Sequence, residues 1–384
     1  MPLIPMKPIL DTAYKYKIAF GAFNINSPTQ AQAVIQVHEM FRTAAIIQVV
    51  DFAHGFMAKR QDFLNATLEE KIEGAKRIAE AVSKYANDTN IPVALHLDHG
   101  ADPEFVKACI DCGYTSVMID GSKFPFEENI EITADVVRYA HSRGVTVEGE
   151  LGVLGGREDN TGGKTSIYTD PNKVCEFFER TGVDCLAISY GTSHGPAKGK
   201  NAEIRKEIAI AASENMLYKG IQKILVSHGS STVPQYIVEE INALGGNLTN
   251  AYGIPIEQVV GVIPHGIGKI NIGTDIRLSI LRYVREYFNK YPQKTHSPVL
   301  VPVWDILSKK PELIDERVYL YPIVDSVISG HAQDEDIAEI MECMHKGIKE
   351  IVGQLIVKFG QVGYANKVQP SSLNEMVDYY NKKF

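Results

Sequence analysis

Several protein classes are excluded by what this chain has little of. It holds five cysteines in 384 residues: Cys109, Cys112, Cys175, Cys185 and Cys343. An odd number without regular spacing does not build a disulfide framework, so reduced thiols and a cytoplasmic location are expected. Cys109 and Cys112 form a CxxC at the end of a helical pattern stopped by Gly113. With no second pair, it reads as part of a helix rather than as a zinc or redox motif. No stretch approaches the ~20 apolar residues needed to span a bilayer, so no membrane partner is expected. The opening MPLIPMKPIL lacks a charged region followed by a long apolar run, so it does not read as a secretory leader. Basic residues are the minority, 39 against 47 acidic, for a net charge of −8. That is the wrong balance for displacing counterions from nucleic acid, though it leaves room for a local cationic pocket. There is no internal repeat or low-complexity stretch.

What is present is ordinary globular composition, 45% hydrophobic and 22% charged. The length suits one large α/β barrel with insertions, or two domains. Short apolar or β-branched runs at 17–25, 44–51, 91–98, 114–120, 144–151, 184–191, 223–229 and 267–273 read as eight strands. Between them lie amphipathic helical patterns such as PTQAQAVIQVHEMF and LEEKIEGAKRIAEAVSKYA, several opening on Ser, Asp or Pro and closing on Gly. Eight strand–helix units in the first 290 residues predict a (β/α)8 TIM barrel, with a doubly wound open sheet as the competitor. Residues 291–330, rich in Pro and aromatics and without a clear period, read as an insertion, one suited to packing on a neighbouring subunit. Residues 331–384 read as a C-terminal helical extension built on a long amphipathic helix at 334–360.

Barrel enzymes carry their chemistry at the C-terminal ends of the strands. Here those ends hold Asn24 on the first strand, Asp98 and His99 on the third, and Glu148 and Glu150 on the fifth. His194 follows the sixth, His228 ends the seventh, and Asn271 and Asp275 close the eighth. Three histidines thus end three strands, each followed by Gly, which lets the backbone turn tightly beside a bound group. Three imidazoles and an open position are the arrangement of a catalytic zinc. His96 is on the same face as Asp98 but one step deeper, and is expected to be a packed, hydrogen-bonded residue rather than a ligand. The loops HGSSTVP and NIGTD have the glycines and hydroxyls of a barrel phosphate site, and Lys198 adds a positive charge.

The segments HLDHG, SVMIDGS, VEGELGVLGGRED, TGVDCLAISYGTSHG, SHGSSTVP and KINIGTD, in this order, resemble the motif series of the class II, zinc-dependent fructose-bisphosphate aldolases. The likeness runs from about 5 to 290 and resumes near KFGQVGYANKV, with 291–330 outside it. It implies zinc ligands at His99, His194 and His228, with Glu150 at or near an alternative metal position and a monovalent cation as a candidate second ion. It implies Asp98 as the acid/base at the C4 hydroxyl and Glu158, in the GGRED loop, as the acid/base that moves the C3 proton. Gly195, Lys198, Gly229, Ser231, Asn271 and Thr274 match groups around dihydroxyacetone phosphate, with Asp275 beside them, and Asn24 matches a residue that helps hold the reacting centre. A metal stabilises the charge left on C3 when a ketose is cleaved between C3 and C4, so no lysine Schiff base is needed. A homo-oligomer, dimer or tetramer, is implied as well.

Three positions depart from the family pattern: Val50 for a small hydroxyl residue, Gly273 for an acidic residue, and Leu355 for an arginine donated to a neighbour's far phosphate. Arg157, Lys349 and Lys358 are candidate replacements for that arginine. All three departures bear on the aldehyde half of the substrate. Fructose 1,6-bisphosphate is therefore the expected substrate, with another ketose 1-phosphate or ketose bisphosphate, such as tagatose 1,6-bisphosphate, as the alternative. A non-catalytic scaffold is a further reading. A zinc hydrolase of the amidohydrolase kind would need a histidine pair on the first strand, where this chain has GAFNIN.

Overall fold

The computed structural model describes residues 2–156, 166–199 and 202–383. Eight strands form its centre: β1 (Phe20–Asn24), β2 (Ala45–Val50), β3 (Val93–Gly100), β4 (Ser116–Ile119), β5 (Thr146–Leu151), β6 (Cys185–Ile188), β7 (Ile224–Ser227) and β8 (Ile267–Ile272). Each is hydrogen-bonded in parallel to the next, and β8 pairs with β1, so the sheet closes into the barrel that the spacing of apolar runs predicts. The strands read as continuous apolar runs because helices cover their outer faces while side chains fill the interior.

The connecting helices begin and end where their caps dictate. Ser27 accepts the Gln30 amide at the start of Pro28–Met40. Thr67 and Glu70 form a capping box at the start of Leu68–Asn87. Helix Pro171–Thr181 stops at Gly182, whose φ of 80° is the left-handed end that favours glycine.

The interior has two levels. Toward the floor, Ala22, Ile46, Ala94, Ile224 and Val226 cluster with Ile4, Met6, Ile9, Leu10 and Ala13. The last three belong to helix Lys7–Tyr16, which plugs the N-terminal end of the barrel. Further up, the inward positions become Gln48, His96, Glu148 and Lys269, none of them exposed. Above these lies the mouth.

After β8, helix Thr274–Lys290 packs on helix Glu335–Lys358 so closely that Ser279 Oγ donates to the Gly347 carbonyl at 2.8 Å. A Cβ at position 347 would lie 2.7 Å from the Ser279 carbonyl oxygen, which explains the glycine. The 291–330 segment is helical rather than irregular, with helices at Val301–Lys309, Glu316–Tyr319 and Val324–Ser329. It lies against this chain's own helix Pro28–Met40. The buried Glu316 carboxylate accepts from Asn26 Nδ2 at 2.7 Å and from Gln30 Nε2 at 3.1 Å. The last helix, Leu373–Lys383, returns to the outside of the barrel, where Tyr380 donates to buried Asp184 at 3.0 Å and stacks on His141. Among the described residues no helix is long and apolar enough to cross a membrane.

Candidate functional site

One cleft at the barrel mouth is lined by Asn24, Val50, Asp98, His99, His194, His228, Gly229, Ser231, Asn271, Gly273 and Arg277. Residues from β1, β2, β3 and β8, from the turns after β6, β7 and β8, and from the helix that follows β8 therefore meet in one space, although they span more than 250 positions of the chain.

His99 is central. It takes a left-handed backbone, φ 52°, near the end of β3. Such a conformation is costly for a residue with a Cβ and persists where surrounding contacts hold it. Its ring centroid lies 4.6 Å from that of His228 and 4.9 Å from that of His194. Its Nδ1 donates to Asp120 Oδ2 at 3.3 Å, and its Nε2 faces His228 Nδ1 at 3.0 Å. The other nitrogen of His228, Nε2, donates to Glu148 Oε1 at 2.7 Å. Both rings are thus anchored at one nitrogen and turn the other toward a common point. A shared proton is one occupant of that point and a divalent cation is the other.

The charges favour a cation. Burial alone would lower the His99 pKa, but Asp98, Asp120 and Glu150 outweigh it and raise it to about 10. Burial would raise Asp98, yet His99, His228 and Lys269 hold it below the usual carboxylate range. Glu150 is pushed well up by burial and by neighbouring Asp120. Its Oε2 is buried and has no hydrogen-bond partner among the described residues. His194 is driven well down by burial and then by the other imidazoles, which keeps it in the neutral form that ligates metals.

Among the described residues, two groups bring ligand atoms within 4.8 Å of one another: Asp98 with His99 and His228, and His99 with Asp120 and Glu150. His194 flanks the first group through the ring of His99 rather than belonging to it. The site residues thus fit a divalent cation in donor type, in burial and in the orphaned oxygen of Glu150.

Around this point a hydrogen-bond chain orients Asp98. Gln48 donates to Asn24 Oδ1, and Asn24 Nδ2 donates to Asp98 Oδ2 at 3.1 Å. Asn271 Nδ2 donates to the other oxygen, Oδ1, at 3.3 Å. Val50 is the register partner of Asp98 on the adjacent strand and so lines the mouth beside it. His96, one pleat repeat deeper, bonds Ser116 Oγ at 2.8 Å, and burial lowers its pKa to about 3. It is a packed residue beneath the site, as its position predicts.

The turns after β7 and β8 are tied together. Ser231 Oγ accepts the main-chain N–H of Gly273 at 3.3 Å and of Thr274 at 3.2 Å. Lys198 Nζ crosses from the turn after β6 to the carbonyls of Gly229 and Ser231. At Gly229, φ is 60° and a Cβ would lie 2.6 Å from the Ser193 carbonyl, so only glycine lets this turn press against the segment carrying His194. Gly195 likewise has a positive φ of 78°. Asp275 faces inward from this pair of turns. Its two oxygens accept from Thr232 N and Thr232 Oγ1 at 2.9 Å and from Val233 N at 2.8 Å. Its carboxylate therefore clamps the turn after β7, including Val233 at φ 47°, a strained value for a β-branched residue.

Glu158 and Arg157 lie outside the described residues. On either side of them, Gly155–Gly156 pairs in parallel with Ser193–His194, and Val153 bridges Ile167. Leu355 is buried in the core, 3% exposed, on helix Glu335–Lys358. Among the described residues the cation that lines the mouth is Arg277, one turn into the helix after Gly273, rather than Lys349 or Lys358. Sequence reasoning gave no role to Arg277, Asp120, Glu148 or Lys269. The available signals were Asp120 at the end of a strand, and Glu148 and Lys269 as charges inside apolar runs.

The model of the family "Fructose-bisphosphate aldolase class-II" matches residues 4–364, across the 291–330 segment. A fructose-bisphosphate aldolase of Giardia intestinalis is 39% identical over 344 residues, covering 89% of this chain and 98% of that protein. One of Geobacillus stearothermophilus is 39% identical over 295 residues, 76% of this chain and 88% of that protein. Among solved structures, a fructose-bisphosphate aldolase of Campylobacter jejuni superimposes with a TM-score of 0.68 at 21% identity, covering 94% of this chain and 97% of that one, and so shares the fold. With the family model spanning nearly the whole chain and relatives near 40% identity, this chain belongs to the class II fructose-bisphosphate aldolases, a family of lyases built on the TIM barrel.

Proposed function

We propose that this protein is a zinc-dependent aldolase that reversibly cleaves fructose 1,6-bisphosphate to dihydroxyacetone phosphate and glyceraldehyde 3-phosphate. The observation that carries the reading is the pair of anchored rings, His99 Nε2 facing His228 Nδ1 at 3.0 Å amid buried carboxylates. His99, His228 and His194 would hold the zinc, with Glu150 and Asp120 beside His99 as an alternative position. Zinc bound there supplies a Lewis acid for the charge left on the substrate when the C3–C4 bond breaks.

The chain's own groups do the rest. Asp98, held ionised and aimed by Asn24 and Asn271, takes the C4 hydroxyl proton as the bond breaks. Glu158 delivers the proton to C3; the pairing of Gly155–Gly156, just before it in sequence, with Ser193–His194 supports this role. Gly195, Gly229, Ser231, Asn271 and Thr274 bind dihydroxyacetone phosphate, with Lys198 neutralising its charge and Asp275 keeping the turn after β7 in shape. Arg277 holds the far phosphate, the role its place at the mouth supports. The substrate is thus a sugar phosphate, and a cytoplasmic homo-oligomer, dimer or tetramer, belongs to the same reading.

Chelation is expected to abolish cleavage of fructose 1,6-bisphosphate, and added Zn2+ to restore it. Full activity in metal-free protein overturns the reading. Val50 and Gly273, both lining the mouth, favour one second reading: a ketose 1-phosphate or tagatose 1,6-bisphosphate as the preferred substrate. A panel of these sugars, with trapping of the triose phosphates released, separates the two.

A further inference from the structure

Beneath the mouth lies a charged group that the reaction does not require to touch substrate. Lys269 and Glu148 face inward from β8 and β5, and neither side chain is exposed at all. The ammonium is 3.0 Å from Glu148 Oε2 and donates to Asn271 Oδ1 at 2.8 Å. Glu148 Oε1 accepts from His228 Nε2 at 2.7 Å. Cys185 Sγ approaches Oε2 at 3.7 Å, and His96 Nε2 lies 3.6 Å from it. Lys269, His228 and Cys185 each turn a hydrogen toward this carboxylate, so the environment is built for one.

A buried ion pair is a poor device for stability, because desolvation offsets most of its attraction and apolar residues would fill the same space as well. The barrel floor, with Ile46, Ala94, Ile224 and Val226, is filled that way. The pair therefore calls for a role in what lies above it.

We infer that Lys269 and Glu148 are positioning residues that set the orientation and tautomer of His228 and the orientation of the Asn271 amide. With its proton on Nε2 and directed at Glu148, His228 presents the Nδ1 lone pair to the point shared with His99 Nε2. A carboxylate behind a ligating imidazole fixes its tautomer and raises its basicity. The second bond of Lys269 takes the amide oxygen of Asn271. This leaves Nδ2 as the end facing Asp98 Oδ1 at 3.3 Å. Asn271 Nδ2 also lies 3.1 Å from His228 Nε2, but an amide N–H only donates; with the ring proton given to Glu148 Oε1 at the shorter 2.7 Å, the Asn271 amide directs its hydrogen to Asp98 instead. One buried cation thus aligns both a metal-binding ring and the amide that aims the proton acceptor.

This inference rests on the reading of His228 as a metal ligand, and the test separates the two. Zinc dissociation is measured by chelator competition for the unaltered protein, His228→Ala, Glu148→Gln, and Glu148→Gln combined with Lys269→Met. The double variant leaves no uncompensated charge in the barrel and keeps the test usable should Glu148→Gln fold poorly. In parallel, long-range 1H–15N spectra of metal-free, histidine-labelled protein report the tautomer of each ring. The unaltered protein should show His228 only as the Nε2–H form. Both Glu148 variants should show a mixture, with zinc bound about 10- to 100-fold more weakly, as for other residues behind metal ligands. Ile46→Val, in the apolar floor, should move neither readout. Unchanged tautomer and zinc affinity within twofold in the double variant would overturn the inference. If His228→Ala binds zinc as well as the unaltered protein, it is the ligand reading that fails, whatever the spectra show.

Discussion

The same strands serve two ends of the barrel in different ways. Near the floor, Ala22, Ile46, Ala94, Ile224 and Val226 meet helix Lys7–Tyr16 in an apolar plug. One or two pleat repeats higher, β2, β3, β5 and β8 and the turn after β7 bring in Gln48, His96 and Asp98, Glu148 and Glu150, Lys269 and Asn271, and His228. Burial is equally complete at both levels, so exposure does not explain the change. The floor gains from burying carbon. The upper tier gives up that gain to hold charged and polar groups in fixed positions, linked by hydrogen bonds such as those from His228 to Glu148 and from Lys269 to Asn271. Stability and chemistry are therefore separated by about 7 Å along a strand, two residues at the usual rise.

Substitutions at the two levels should then have opposite signatures. The largest effect is expected at Asp98→Ala, with kcat falling about a hundred- to ten-thousand-fold, the range for loss of a positioned acid/base. Zinc content measured on the same preparation should stay at the unaltered value; loss of metal would make Asp98 a ligand, as its nearness to His99 and His228 allows. Next comes Arg277→Met. KM for fructose 1,6-bisphosphate should rise about 10- to 100-fold, the worth of a charge-assisted hydrogen bond, with little change for a ketose 1-phosphate. Equal effects on both sugars would remove Arg277 from the far-phosphate site.

Asp275→Asn replaces one acceptor oxygen by a donor opposite main-chain N–H groups. About 1–3 kcal/mol of stability should be lost in denaturant titrations, with a weaker KM for the substrate. The smallest effect is expected on the floor: Ile224→Val should cost about 0.5–1.5 kcal/mol and leave kcat and KM unchanged. A rate change there, at matched folded fraction, would break the division between the two levels.

The barrel was legible because its signals are local and repeated. Every one of the eight apolar runs became a strand, with ends shifted by a few residues, as at 17–25 against Phe20–Asn24. The strand ends were legible for the same reason, since a histidine before a glycine stands out from an apolar run. Helix Lys7–Tyr16 was missed because its Pro8, and Pro2 and Pro5 just before it, look irregular until Ile9, Leu10 and Ala13 find the barrel floor. The 291–330 segment showed no period because its helices are short and interrupted by prolines. Its anchoring depends on Glu316 meeting Asn26 and Gln30, almost 300 residues away. Lys269 and Glu148 were unreadable as a pair for a similar reason. Each looks like an isolated charge in its own strand, and only closure of the sheet brings β5 and β8 across from each other.

The stitch at Gly155–Gly156 carries a practical corollary. The hydrogen bond from the Gly155 amide to Ser166 Oγ and the bridge between Val153 and Ile167 fasten the two ends of the intervening stretch to each other. On the role proposed for Glu158, exchanging residues 157–165 for the corresponding piece of a relative should change proton delivery to C3 while leaving the pairing of Gly155–Gly156 with Ser193–His194 in register.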